Sequence, residues 1–127
     1  MQSLRIEAAG KTPLVDFNSD NGTLKISGIS IPENSLSFFE PIFAWVDEYV
    51  KNPKRETTII IQLEYFNTSS SKCLLDFFRK FVHIHESGKS SISGKWFYEE
   101  NDEDIQEAGN DYKTIVKIPF VIEKIQK

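Results

Sequence analysis

The stretch TTIIIQLEYFNTSSSKCLLDFF, residues 57 to 78, changes its hydrophobic period halfway along. Residues 57 to 66 are rich in β-branched and aromatic side chains, the composition of a strand. Ile59, Ile60 and Ile61 put apolar groups on both faces, which predicts a central strand covered on both sides, or at least at that end. Beyond Asn67 the spacing lengthens. Cys73, Leu74, Phe77, Phe78, Phe81 and Ile84 step along one face of a helix, and Lys72, Asp76, Arg79 and Lys80 mostly fill the other. Gly88 is a fitting stop. A strand that runs directly into a helix is half of a crossover unit, so the fold is read as α/β from this junction.

The flanks extend that unit. Leu4, Ile6 and Ala8 alternate with charged residues, Leu14, Val15 and Phe17 form a second strand, and Leu24 and Ile26 a third beyond the turn-forming Asn18-Ser19-Asp20-Asn21-Gly22. Asn34 or Ser35 can cap a first helix whose buried face is Leu36, Phe39, Ile42 or Phe43, Val46 and Tyr49 or Val50. Pro41 within it predicts a kink, or a main helix beginning there, since an internal proline costs roughly 3 kcal/mol. Ile92, Trp96 and Tyr98 share one face of a later strand, with Phe97 opposite. Ile105, Ala108 and Gly109 fit a short helix inside an acidic stretch, and residues 114 to 122 a last strand, at an edge or bulged because of Pro119. The order β-β-β-α-β-α-β-α-β predicts one α/β domain over residues 1–127, a mixed β-sheet with helices packed on it.

Composition narrows the function. The formal net charge is −4, with no basic stripe, so nucleic acid is not the expected partner. No apolar run reaches membrane-spanning length and the N-terminus lacks a secretory core, so no membrane association is expected and a cytoplasmic location is. One Cys and two His leave no disulfide and no thiolate zinc site. On one helix Cys73 and His83 stand about 15 Å apart, too far for a nucleophile–base pair. His83 and His85 diverge around it, so no metal is expected. The acidic residues from Glu99 to Asp111 fail the calcium-loop pattern, because Gln106 and Glu107 fall where a ligand and a glycine are needed. They read as a solvated face or a docking surface for a basic partner. The scattered glycines form no phosphate-cradling loop, so no cofactor is expected.

What remains is Asn67-Thr68-Ser69-Ser70-Ser71-Lys72, four successive hydroxyls where the strand meets the helix. Helix capping uses one or two such residues. Four at the C-terminal end of a buried strand exceed that need, and a helix N-terminus accommodates a phosphate well. Capping and phosphorylation both remain open on these grounds.

The run Leu63-Glu64-Tyr65-Phe66-Asn67-Thr68-Ser69-Ser70-Ser71-Lys72 resembles the hallmark of the SiaC family of bacterial regulatory phosphoproteins. Thr12-Pro13, residues 28 to 34 (GISIPEN) and residues 96 to 104 (WFYEENDED) with Gly109 and Tyr112 agree with it in order, so the resemblance covers nearly the whole chain. It implies a non-enzymatic switch. The acceptor would be Thr68, phosphorylated by a cognate protein kinase and restored by a PP2C-type phosphatase. The unmodified form would bind and activate a diguanylate cyclase, raising c-di-GMP and promoting biofilm or aggregation. Glu64, Asn67, Ser69, Ser70, Ser71 and Lys72 would lie at the partner contact. The implied fold is STAS-like, that of anti-sigma factor antagonists, here with an extra N-terminal strand. A different expectation is an anti-sigma factor antagonist-like module that regulates a transcription factor. Catalysis by Glu64, Tyr65 and the acidic stretch lacks a nucleophile–base pair.

Overall fold

In the computed structural model, which describes residues 1–125, the chain runs β1 (Leu4–Ile6), β2 (Leu14–Asn18), β3 (Thr23–Ser30), α1 (Ser35–Tyr49), β4 (Glu56–Phe66), α2 (Thr68–Glu86), β5 (Ser91–Tyr98), α3 (Glu103–Ile115) and β6 (Phe120–Lys124). The six strands lie in the sheet in chain order. β1, β2 and β3 form an antiparallel meander, whereas β3 to β6 are parallel. The turn between β2 and β3 is set by Asn18, whose Oδ1 accepts hydrogen bonds from the Asp20 and Asn21 amides at 2.8 and 3.2 Å.

Strand order dictates where the helices go. Each parallel step moves one place in the same direction, and a right-handed crossover moving one way always lands on the same face. All three helices therefore cover one side. Phe17, Leu24, Ile59, Gly94 and Phe120 form one row across the sheet, and all are buried beneath the helices. This corrects the expectation of a strand covered on both sides. β4 is central, but only Thr57, Ile59, Ile61 and Leu63 are buried, while Thr58, Ile60 and Gln62 are half-buried on the open face. An apolar triplet signalled depth in the sheet, not a second layer.

Aromatic side chains join the layers. Phe17 of β2 packs on Trp45 of α1 and Phe77 of α2, with ring centroids 5.2 and 5.8 Å apart. Phe78 of α2 meets Tyr112 of α3 and Phe120 of β6, each at 5.2 Å. Where the core turns polar, hydroxyls pair: Tyr49 Oη, Thr57 Oγ1 and Ser90 Oγ form a buried chain with both links at 2.8 Å.

Three further expectations are corrected. The main helix does not begin at Pro41: α1 is continuous from Ser35, with the proline on its exposed side. Leu36, assigned to the buried face, is 71% exposed, because the buried stripe of α1 runs through Ser35, Phe39, Ile42, Val46 and Tyr49 and Leu36 lies one residue off it. The last strand begins after Pro119; Thr114 and Ile115 belong to α3, where Thr114 Oγ1 donates to the Asn110 carbonyl at 3.0 Å. Among the described residues, no helix is long and apolar enough to cross a membrane.

Candidate functional site

Because β3 and β4 are parallel neighbours, the helices that follow them start side by side at one edge of the sheet. Asn34 caps α1, its Oδ1 accepting from the Ser37 amide at 3.1 Å. Asn67 caps α2 in the same way, accepting from the Ser70 amide at 2.9 Å and from Ser69 Oγ at 3.2 Å. Just upstream the β3–β4 register shifts between Gly28 and Ile29. Gly28 has φ of 105°, a conformation available to glycine. The resulting bulge lets both Glu64 and Tyr65 face outward, and Tyr65 is 58% exposed.

The hydroxyl run is graded: Thr68 and Ser69 are exposed, Ser71 is half-buried and Ser70 is buried. Ser70 is fully buried, donating to the Ser30 carbonyl at 3.0 Å and pairing with Ser30 Oγ at 2.9 Å. Ser69 Oγ lies 2.6 Å from Ser35 Oγ at the start of α1. Ser71 Oγ pairs with Tyr112 Oη at 3.0 Å, and that hydroxyl donates to the Ser71 carbonyl at 2.7 Å. Burial raises the Tyr112 hydroxyl above its usual pKa, opposed by its bond to Ser71. Three serines thus fasten the head of α2 to β3, α1 and α3. Thr68, the first residue of α2, is exposed, and no side-chain hydrogen bond engages its hydroxyl among the described residues.

Beside Thr68 opens a hollow of about 400 Å³ lined by Glu33, Asn34, Ser35, Leu36, Ser69, Lys72, Cys73 and Asp76. Its wall combines an exposed leucine with one cation and two carboxylates. Cys73 contributes little reactivity: burial pushes its thiol pKa up, Asp76 adds to this and Lys72 opposes it. Of the expected contact residues, Ser69 and Lys72 line this hollow and Asn67 caps its helix. Ser70, expected at a partner contact, is sealed in the fold, and Ser71 is tied to α3. Glu64 turns away, lining a separate hollow with Gln62, Tyr98 and Asp102 on the open sheet face. Leu36, expected on the buried face, and Ser35, expected only as a cap, were not expected at this site. The signal for Ser35 was a second cap-like Asn-Ser pair before α1.

The other candidates have local roles. Asp102 caps α3, accepting from the Ile105 amide at 3.1 Å, with Glu103 and Asp104 in the first turn, where the helix dipole favours negative charge. His85 Nδ1 accepts from the Ile92 amide at 3.0 Å, tying the end of α2 to β5. No cluster of metal-ligating side chains occurs among the described residues.

Removing the Asn67 cap should loosen this arrangement. Asn67→Ala deletes the acceptor of the Ser70 amide and is expected to lower stability by about 1 kcal/mol. Urea unfolding measures it; an unchanged midpoint would show that water caps α2 equally well.

A small two-layer domain that fastens three hydroxyls and leaves a fourth displayed at a helix head has the form of a regulatory phosphoprotein. The sequence profile of the SiaC family of regulatory phosphoproteins matches residues 6–125, and the chain belongs to that family. It is 28% identical to apo-SiaC of Pseudomonas aeruginosa, whose crystal structure superposes with a TM-score of 0.88 over 97% of this chain and 99% of that one. SiaC from the same organism, crystallised in complex with the diguanylate cyclase SiaD, which it activates, gives 28% identity and a TM-score of 0.89 over 96% of this chain and 99% of that one. A curated relative, an uncharacterized protein of Pseudomonas aeruginosa strain UCBPP-PA14, is 28% identical over 123 residues, covering 97% of each chain. The family resemblance drawn from residues 63 to 72 is thereby borne out.

Proposed function

We propose that this chain is a non-enzymatic phospho-switch of the cytoplasm whose unmodified form binds and activates a diguanylate cyclase, raising c-di-GMP and promoting biofilm or aggregation. A cognate kinase phosphorylates Thr68 and blocks that contact, and a PP2C-type phosphatase restores it. The observation that carries this reading is the exposure of Thr68 amid serines that are each engaged in the fold. A kinase can reach its oxygen without opening the domain. The likeness to a SiaC that activates its cyclase favours a cyclase over a transcription regulator as the partner. The contact face in this reading is Thr68 with Ser69, Lys72 and the cap Asn67, extended by Leu36 and Tyr65. Glu64 flanks it on the sheet side. Ser70 and Ser71 act from beneath, by fixing the helix head. In the same reading the domain is STAS-like, since anti-sigma factor antagonists also carry their phosphosite where a strand meets a helix.

The test is c-di-GMP synthesis from GTP by a diguanylate cyclase of the same organism. The unmodified chain should stimulate it and the phosphorylated chain should not. Stimulation by neither form, with capture of a transcription regulator instead, would overturn the reading.

A further inference from the structure

We propose that Lys72 is the intramolecular partner of a phosphate on Thr68, so that modification consumes the one cation at the mouth of the hollow between α1 and α2. The inference rests on the phospho-switch reading and specifies how its site is regulated. Thr68 and Lys72 are both exposed and stand four residues apart on α2. That spacing brings Cβ atoms to about 5–6 Å on one face of a helix. No ion pair among the described residues involves Lys72. Its competitors in the hollow are Asp76, one turn further along α2, and Glu33, across on the approach to α1. An anion that precedes lysine by four residues is better placed than one that follows it. A phosphate also carries about −1.5 to −2 charges against one for a carboxylate. The phosphate therefore outcompetes Asp76 and Glu33 for Lys72.

The consequence reaches beyond Thr68. In the unmodified chain the mouth of the hollow offers Lys72 beside the exposed Leu36, a surface suited to an acidic residue next to an apolar one. Once Lys72 turns to the phosphate, Glu33 and Asp76 are left without a cation beside them. The hollow, with one cation against two carboxylates, is already net negative; modification deepens that charge and takes away its cation, so a partner selected for an acidic contact to Lys72 is repelled. Two effects of one modification thus act together: bulk at Thr68 and loss of Lys72.

The experiment compares two proteins that carry phosphothreonine at position 68, introduced during translation so that kinase recognition does not enter: the otherwise unchanged chain and Lys72→Met. Phosphorus NMR follows the second ionisation of the phosphate with pH. A neighbouring cation favours the dianion, so the pKa should be lower in the chain that keeps Lys72, by about 0.4 unit or roughly 2.5-fold in the ionisation equilibrium. Lys72→Arg should retain the lower value, and about 0.5 M salt should shrink the difference. Equal values in all three proteins would overturn the inference. The same samples assayed for cyclase activation separate it from the reading beneath it. If the phosphate leaves activation intact, the switch reading fails, whatever the titrations show. If activation is lost while the titrations coincide, only the role of Lys72 fails.

Discussion

Phosphorylation of Thr68 is expected to weaken cyclase binding by about a hundredfold while leaving the domain folded as it is. The fold tolerates the modification because Thr68 is exposed and its hydroxyl makes no side-chain hydrogen bond among the described residues. At the head of α2 the phosphate meets a helix dipole worth roughly 0.3–1 kcal/mol, and that first turn holds no acidic residue. A docked protein changes the balance. The phosphate carries about −1.5 to −2 charges. Pairing with Lys72 would still leave a net negative group to be stripped of water, and an incompletely compensated buried charge costs several kcal/mol. About 3 kcal/mol corresponds to roughly a hundredfold in affinity at 1.4 kcal/mol per decade. Thr68→Ala should bind as the unmodified chain does and resist inactivation by the kinase. Thr68→Asp should fall short of the phosphate, having less charge and fewer acceptor oxygens. Titration calorimetry gives the affinities, and amide NMR spectra show whether shifts stay near the head of α2. Shifts spread over the sheet would show remodelling instead of a blocked face.

The second large effect concerns what holds that face. Trp96 of β5 is fully buried; its Nε1 donates to the Ile105 carbonyl of α3 at 2.9 Å, and its ring meets Phe66 and Tyr112 at centroid distances of 5.9 and 5.3 Å. Trp96→Ala is expected to remove about 3–5 kcal/mol of stability, through lost burial and the cavity left behind. That is a large part of the 5–15 kcal/mol a domain of this kind commands. Gly109 of α3 lies against the same indole, so closely that a methyl group there would collide with its Cδ1 and Nε1. On helix propensity alone, Gly109→Ala should stabilise by about 1 kcal/mol. The contact reverses the sign, and a loss of about 1–3 kcal/mol is expected from overpacking. Urea unfolding of both variants decides it. A stabilised Gly109→Ala would mean that α3 does not press on Trp96 as described. The link to function runs through Tyr112, which rises from this packing to hold Ser71 and with it the head of α2.

How much of this was legible in the sequence follows from the range of each interaction. The strand over residues 57 to 66 and the Asn67 cap were readable, because alternation and capping act within a few residues. The one-sided sheet was not. Strand order depends on pairing between distant segments, and the triplet Ile59-Ile60-Ile61 reads the same whether Ile60 meets a helix or half-open solvent. β6 starts later than its sequence suggests: Thr114 and Ile115 have strand-like side chains, yet Thr114 spends its hydroxyl on the Asn110 carbonyl inside α3. Leu36 is three residues from Phe39 and fits the helical period, but the stripe that faces the core runs through Ser35 instead. The hydroxyl run shows the limit most clearly. Four adjacent candidates were visible; which three are fastened depends on Ser30, Ser35 and Tyr112, which lie 40, 34 and 41 residues from their partners. The family resemblance points to Thr68 from the sequence; the folded chain adds that the three serines beside it are engaged in hydrogen bonds.

The most direct measurement is phosphosite mapping by mass spectrometry after treatment of the intact chain with its kinase and Mg-ATP. The account predicts a single phosphate on Thr68, with Ser69, Ser70 and Ser71 unlabelled and no incorporation into Thr68→Ala. A phosphate on any of the three serines with Thr68 unmodified would contradict it, because those hydroxyls would then have to leave the contacts that hold the helix head in place.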